Sequence, residues 1–130
     1  MSIWTWKSTF EHDGLSRSFR VINGTRSSLV IILHGKEVGR QKMMSRYQHI
    51  FQLGFSILYP EGIGTSWNAD YCCGEALEKK IRDVDFIMKL NEFVLKQYFQ
   101  GTIKRVYITG TSNGGLNVPA ASKLGIQCSC

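Results

Sequence analysis

The chain has 130 residues, 43% hydrophobic and 20% charged, which suits one globular unit with a real core. Its formal charge of +6 is scattered in small clusters such as Lys79-Lys80-Ile81-Arg82. That distribution argues against the concentrated basic stripe with interleaved aromatics of a nucleic-acid binder, and no apolar run approaches the ~20 residues of a membrane span.

Met1 to Lys7 offers neither a basic start nor an apolar core long enough for an export signal. The first fifteen residues hold two tryptophans, Phe10 and the turn signal His12-Asp13-Gly14, which predicts a strand entering a tight hairpin. From Ser16 to Asn23 the pattern alternates: Phe19, Val21 and Asn23 face one way, Ser18, Arg20 and Ile22 the other. Together these stretches predict an antiparallel edge pair. Asn23-Gly24-Thr25 closes it and also spells a glycosylation sequon, which matters only in a secreted chain.

Leu29 to Leu33 is a continuous apolar run, expected of a strand covered on both faces, and His34-Gly35-Lys36 follows it directly. Met43, Tyr47, Ile50 and Phe51 share one face of a helix predicted over 40–51, and Gly54 stops it. Phe55 to Tyr59 reads as the next strand, ended by Pro60-Glu61-Gly62. Strand, helix, strand in this rhythm predicts parallel βαβ units. The longest irregular stretch, 62–75, carries Trp67-Asn68 and Cys72-Cys73-Gly74. A long helix is predicted over 76–99, with Leu77, Ile81, Val84, Met88 and Leu95 on one row and Ile87, Leu90, Val94 and Tyr98 on the next. Gly101 ends it, and 104–109 forms the last legible strand.

That strand runs into Gly110-Thr111-Ser112-Asn113-Gly114, a Gly-x-Ser-x-Gly bend between strand and helix, the context of a nucleophile elbow. Gly110 and Gly114 fall where a Cβ would clash or strain so tight a turn. Ser112 is thereby raised above the sheet edge, and the Asn113 N–H can bind a developing oxyanion. Cys72-Cys73 and Cys128-Ser129-Cys130 lack zinc-site spacing, and neighbouring cysteines rarely bridge each other, so any disulfide is long-range. No metal or cofactor is expected.

Six separated signals occur in order: Leu33-His34-Gly35, Tyr59-Pro60-Glu61-Gly62, Ser66-Trp67-Asn68-Ala69, Cys72-Cys73-Gly74, Arg82-Asp83-Val84-Asp85-Phe86-Ile87 and Gly110 to Gly115. This set resembles the polyhydroxybutyrate depolymerase and feruloyl esterase type of α/β-hydrolase, over about residues 16–125. The resemblance implies an α/β fold, a mostly parallel sheet with an antiparallel N-terminal edge, as one incomplete domain over 1–130. It implies a serine hydrolase of polyester, feruloyl or acetyl esters working through an acyl-enzyme. Ser112 would be the nucleophile, and the backbone N–H groups of Asn113 and Lys36 the oxyanion hole. His34 would brace the oxyanion turn, not act as general base, and Trp67-Asn68 would lie beside the acyl site. Lys36 departs from the small residue usual after His-Gly, and its long side chain would narrow the pocket. The other histidines, His12 and His49, are expected to be surface or packing residues.

Serine chemistry needs a base and a group that orients it, and in this fold both follow the nucleophile along the chain. From Asn113 to Cys130 there is no Asp, Glu or His. Pro119 also interrupts the helix expected after the elbow. The chain is therefore expected to be the N-terminal part of an enzyme, truncated after the elbow helix. The other reading is a non-catalytic remnant that binds an ester or carbohydrate; a complementing second chain is a third. The resemblance further implies secretion and a bridged cysteine in the Cys72-Cys73 pair, while reduced cytosolic cysteines fit the residues equally.

Overall fold

The computed structural model describes residues 4–34, 48–63, 67, 82–110 and 127–128, the last pair by backbone alone. Two strands open the chain, β1 (Thr5–His12) and β2 (Leu15–Ile22), paired antiparallel from Thr5↔Ile22 to His12↔Leu15. The two-residue turn between them has Asp13 at φ 51° and Gly14 at φ 76°. Both left-handed positions fit the right-handed twist of the flanking strands, which is why Asp-Gly serves here.

Four further strands complete the sheet: β3 (Ser28–Leu33), β4 (Ser56–Pro60), β5 (Arg105–Gly110) and the short β6 (Gln127–Cys128). Their spatial order is β1-β2-β4-β3-β5-β6. β2 meets β4 antiparallel, while β4, β3, β5 and β6 run parallel. The predicted mostly parallel sheet with an antiparallel N-terminal edge is the one observed. β6 adds a parallel partner to Tyr107 and Ile108 beyond the strands legible in the sequence.

Both faces of the central strands are covered, as their unbroken apolar runs require. One face carries Val30, Ile32, Ile57 and Tyr59, with Ile50 and Phe51 of the short helix α1 (Gln48–Gln52) packed against them. The other carries Phe19, Val21, Leu29, Ile31, Leu33, Leu58 and Ile108 beneath helix α2 (Asp83–Val94). α2 continues as a π-helical turn, Leu95–Phe99, closed by Gln100 N donating to Leu95 O at 2.9 Å. Gln100 and Gly101 both take positive φ, so the reversal begins one residue before the expected glycine.

Of the two apolar rows read from the spacing, the one with Ile87, Leu90 and Val94 is the buried one, joined by Phe86 and Asp83, whereas Val84, Met88 and Leu95 are half-buried at the flank of α2. Arg17, on the inward face of β2 with Phe19 and Val21, pairs with the buried Asp83 at 2.7 Å.

Asn23, expected on the same inward face of β2, is also buried. Its Oδ1 accepts from the Trp4 main-chain N–H, and Asn23 N donates to Trp4 O at 3.1 Å. Next to it Gly24 lies against the Gly54–Phe55 backbone: a Cβ there would stand 2.3 Å from Gly54 O. The sequon is thus part of a closed backbone corner.

Candidate active site

The site is built where the parallel strands end. β3 and β5 are neighbours in parallel register from Ser28↔Arg105 to Leu33↔Gly110. Strands so paired lie about 4.8 Å apart. The ends of β3 and β5, Leu33 and Gly110, are therefore neighbours on one edge, and the two glycine-containing stretches of the sequence follow directly after them. Gly110, the first glycine of the elbow motif, is the last residue of β5 and half-buried.

His34 is held at both its ring and its main chain. Its Nε2 accepts a hydrogen bond from the Gly62 N–H at 2.8 Å, which leaves Nδ1 to carry the proton of a neutral imidazole. Its carbonyl accepts from the Trp67 indole N–H at 2.9 Å. The two rings also lie against each other, centroids 5.0 Å apart and tilted by 37°. Both side chains are within the core, His34 1% and Trp67 0% exposed. The Glu61 carboxylate stands 3.9 Å from His34 Nε2 at the partly open side. A ring nitrogen that accepts a backbone N–H, in a side chain shut off from solvent, is not placed to take a proton from substrate. Its ring and its carbonyl together tie the end of β3 to Gly62 and Trp67.

The segment after β4 that supplies Gly62 is anchored in turn. Glu61 N donates to Ser18 O at 3.0 Å, and Arg17 Nη2 donates to Asp83 Oδ1 at 2.7 Å and to Glu61 O at 3.4 Å. Arg17 also lies flat over Phe86, its Cζ 3.7 Å from the ring centroid. Sequence reasoning passed over Arg17 and over Asp83 as a core residue, although the alternation that put Phe19 and Val21 inward carries Arg17 with them.

Of the expected site residues, His34, Gly110 and Trp67 fall within the described residues; Ser112, Asn113, Gly114, Gly35, Lys36 and Asn68 lie outside them. Trp67, expected beside the acyl site, has a wholly enclosed indole that donates its one N–H to His34 O.

Two other features are distant from this edge. An open cleft of about 400 Å³ lies at the opposite ends of the strands, lined by Trp4, Asn23, Arg26, Ser56, Tyr98 and Phe99 among others. Among the described residues, His12, Asp13 and Asp85 have donor atoms within 4.8 Å of one another. His12 is buried, as a packing residue, with Nε2 2.7 Å from Asp85 Oδ2. Lys89 at 3.2 Å and Arg82 at 3.5 Å already balance that carboxylate, so the group is a charge cluster tying the hairpin to α2, not a cation cradle. His49 is exposed on α1.

No family model matches the sequence, and no curated protein matches it. Solved structures do. An esterase of Pyrococcus furiosus superposes with TM-score 0.59 over 88% of this chain and 44% of its own, at 19% identity. Dienelactone hydrolase from Anabaena variabilis gives 0.66 over 95% of this chain and 58% of its own, at 14%. A cold-adapted esterase from an Arctic intertidal metagenomic library gives 0.67 over 95% and 55%, at 14%. The chain has the α/β-hydrolase fold. It spans about half the length of these structural relatives, and at such identities the likeness concerns the fold.

Proposed function

We propose that this chain is the N-terminal part of a serine hydrolase of carboxylic esters, with Ser112 as nucleophile. The observation that carries the reading is the Leu33↔Gly110 register, which starts the His34 bend and the Gly-x-Ser-x-Gly bend from neighbouring strand ends. In the proposed reaction Ser112 Oγ attacks the ester carbonyl and the alcohol leaves, forming an acyl-enzyme that water then hydrolyses. The main-chain N–H groups of Asn113 and Lys36 stabilise the oxyanion, each donor worth roughly 3 kcal/mol in the transition state. His34 and Trp67 set the position of the second donor by holding the chain just before it.

The ordered sequence motifs support a polyester, feruloyl or acetyl ester as substrate, and with it an extracellular setting. The stretch from Asn113 to Cys130 offers no acid or base. A complete triad thus draws on residues outside this chain, whether from a longer protein or from a complementing chain. The test is expression of the gene with any in-frame continuation that encodes an Asp and then a His. That protein should turn over p-nitrophenyl acetate, and Ser112→Ala should reduce kcat by a factor on the order of 10³ or more. Residues 1–130 alone should show no turnover at an enzyme-like rate. Ser112-dependent turnover by the 130-residue chain alone would refute the divided-triad reading. The rival reading, a ligand-binding remnant, is favoured by the same lack of acid and base, and absence of any such continuation would leave it and a complementing chain as the two readings.

A further inference from the structure

β1 is the outer strand of the sheet, and among the described residues only β2 pairs with it. Its eight residues run in unbroken register with β2, without a bulge or proline to blunt the free side. The hairpin turn determines which groups that free side presents. With a two-residue turn, the flanking pair His12·Leu15 exchanges main-chain hydrogen bonds, and every second pair does the same. Phe10, Ser8 and Trp6 therefore bond inward to β2. Thr5, Lys7, Thr9 and Glu11 turn their N–H and C=O groups outward, unpaired, and their side chains are exposed on the open face.

We infer that β1 pairs antiparallel with β1 of a second copy of this chain about a twofold axis at Thr9. Any such pairing must set outward-facing residues opposite each other, which leaves few registers. Centred on Thr9, Lys7 of each copy faces the partner's Glu11, so two opposite-charge pairs form across the seam. Centred on Lys7 or on Glu11, like charges face each other. Centred on Ser8, Lys7 and Glu11 both face threonines; centred on Phe10, Glu11 faces Thr9 and Lys7 meets only Asp13, which is in the hairpin turn outside the strand. Lys7 and Glu11 make no ion pair within the described residues, so both charges are available to a partner. On the covered face the same register sets Trp6, 53% exposed, opposite the partner's His12 and diagonal to the partner's Phe10, which closes its open indole surface. The interface is isologous and the combined sheet continuous.

The test is sedimentation velocity of the full 130-residue chain over a concentration series at low salt. A monomer–dimer equilibrium is expected. Lys7→Glu or Glu11→Lys should each weaken it about tenfold or more by creating like-charge pairs. The double exchange, or an equimolar mixture of the two single variants, should restore it. Thr9→Pro removes an outward N–H at an edge position where the β1–β2 ladder does not use it, and should abolish dimer formation while leaving far-ultraviolet circular dichroism unchanged. Carbodiimide should join Lys7 to Glu11 in the dimer; within one strand these residues lie about 13 Å apart, beyond zero-length coupling. Sedimentation as a monomer throughout, association into larger species, or a dimer indifferent to the single exchanges overturns the inference.

Discussion

Arg17 Nη2 and Asp83 Oδ1 meet at 2.7 Å with both side chains shut off from solvent. This pair joins the antiparallel edge of the sheet to the first turn of α2. Through the Glu61 carbonyl it also touches the loop that holds His34. Two nitrogens of the same guanidinium, Nε and Nη1, have no hydrogen-bond partner among the described residues, so the pair is a costly way to fill this space. Asp83→Ala should strand a buried cation and destabilise the chain by about 3–5 kcal/mol. Replacing both partners, as Arg17→Met with Asp83→Leu, should cost much less, because no uncompensated charge remains. Urea unfolding of the three proteins measures the difference.

The indole N–H of Trp67 is tested by keeping its shape and deleting its donor. Trp67→Phe should destabilise the chain by about 1–2 kcal/mol, from the lost bond to His34 O and some lost packing. In an active, extended form of the protein, the proposed role in supporting an oxyanion turn predicts that it lowers kcat more than it raises KM. A change confined to KM would place the residue against substrate instead.

Acid should act on the cluster between β1 and α2. The hydrogen bond from His12, followed by Lys89 and Arg82, outweighs burial and holds the Asp85 carboxyl below its ordinary value of 3.8. A depressed acid stabilises the fold while ionised in both states. Its contribution is complete above the unfolded value and is lost as pH falls through the folded one. Stability should therefore decline below about pH 4, and Asp85→Asn should flatten that part of the profile while lowering the plateau at neutral pH. Thermal melts of both proteins from pH 2 to 7 provide the comparison.

Gly24 is required for space. Its missing Cβ would meet Gly54 O at 2.3 Å and Phe55 O at 2.4 Å, both main-chain atoms. Gly24→Ala should cost about 1–3 kcal/mol, read as a lower urea midpoint, whereas Gly14→Ala meets no atom and suffers only from its positive φ.

Much of this was legible in the residues. The unbroken run Leu29 to Leu33 and the alternation of Phe19, Val21 and Asn23 each reported a real burial pattern, because each depends only on the period of a strand. Asp-Gly marked the hairpin for the same local reason. The inner row of α2 was readable in part: the spacing marked Ile87, Leu90 and Val94, but not Asp83, which is buried against an arginine 66 positions earlier. The bond that encloses the Trp67 indole, to His34 O, was not readable from the residues around it. Nor was the acceptance of the Trp4 main-chain N–H by the amide oxygen of Asn23. Each of these contacts involves a partner distant in the chain.

The six aligned residue pairs between β3 and β5 have a consequence for how such a centre tolerates change. A shift of either ribbon by one step would reverse every inward and outward side chain, exchanging apolar positions with those meant for the opposite layer. The spacing between the two strand ends, Leu33 and Gly110, is thus inherited from a ladder that cannot creep.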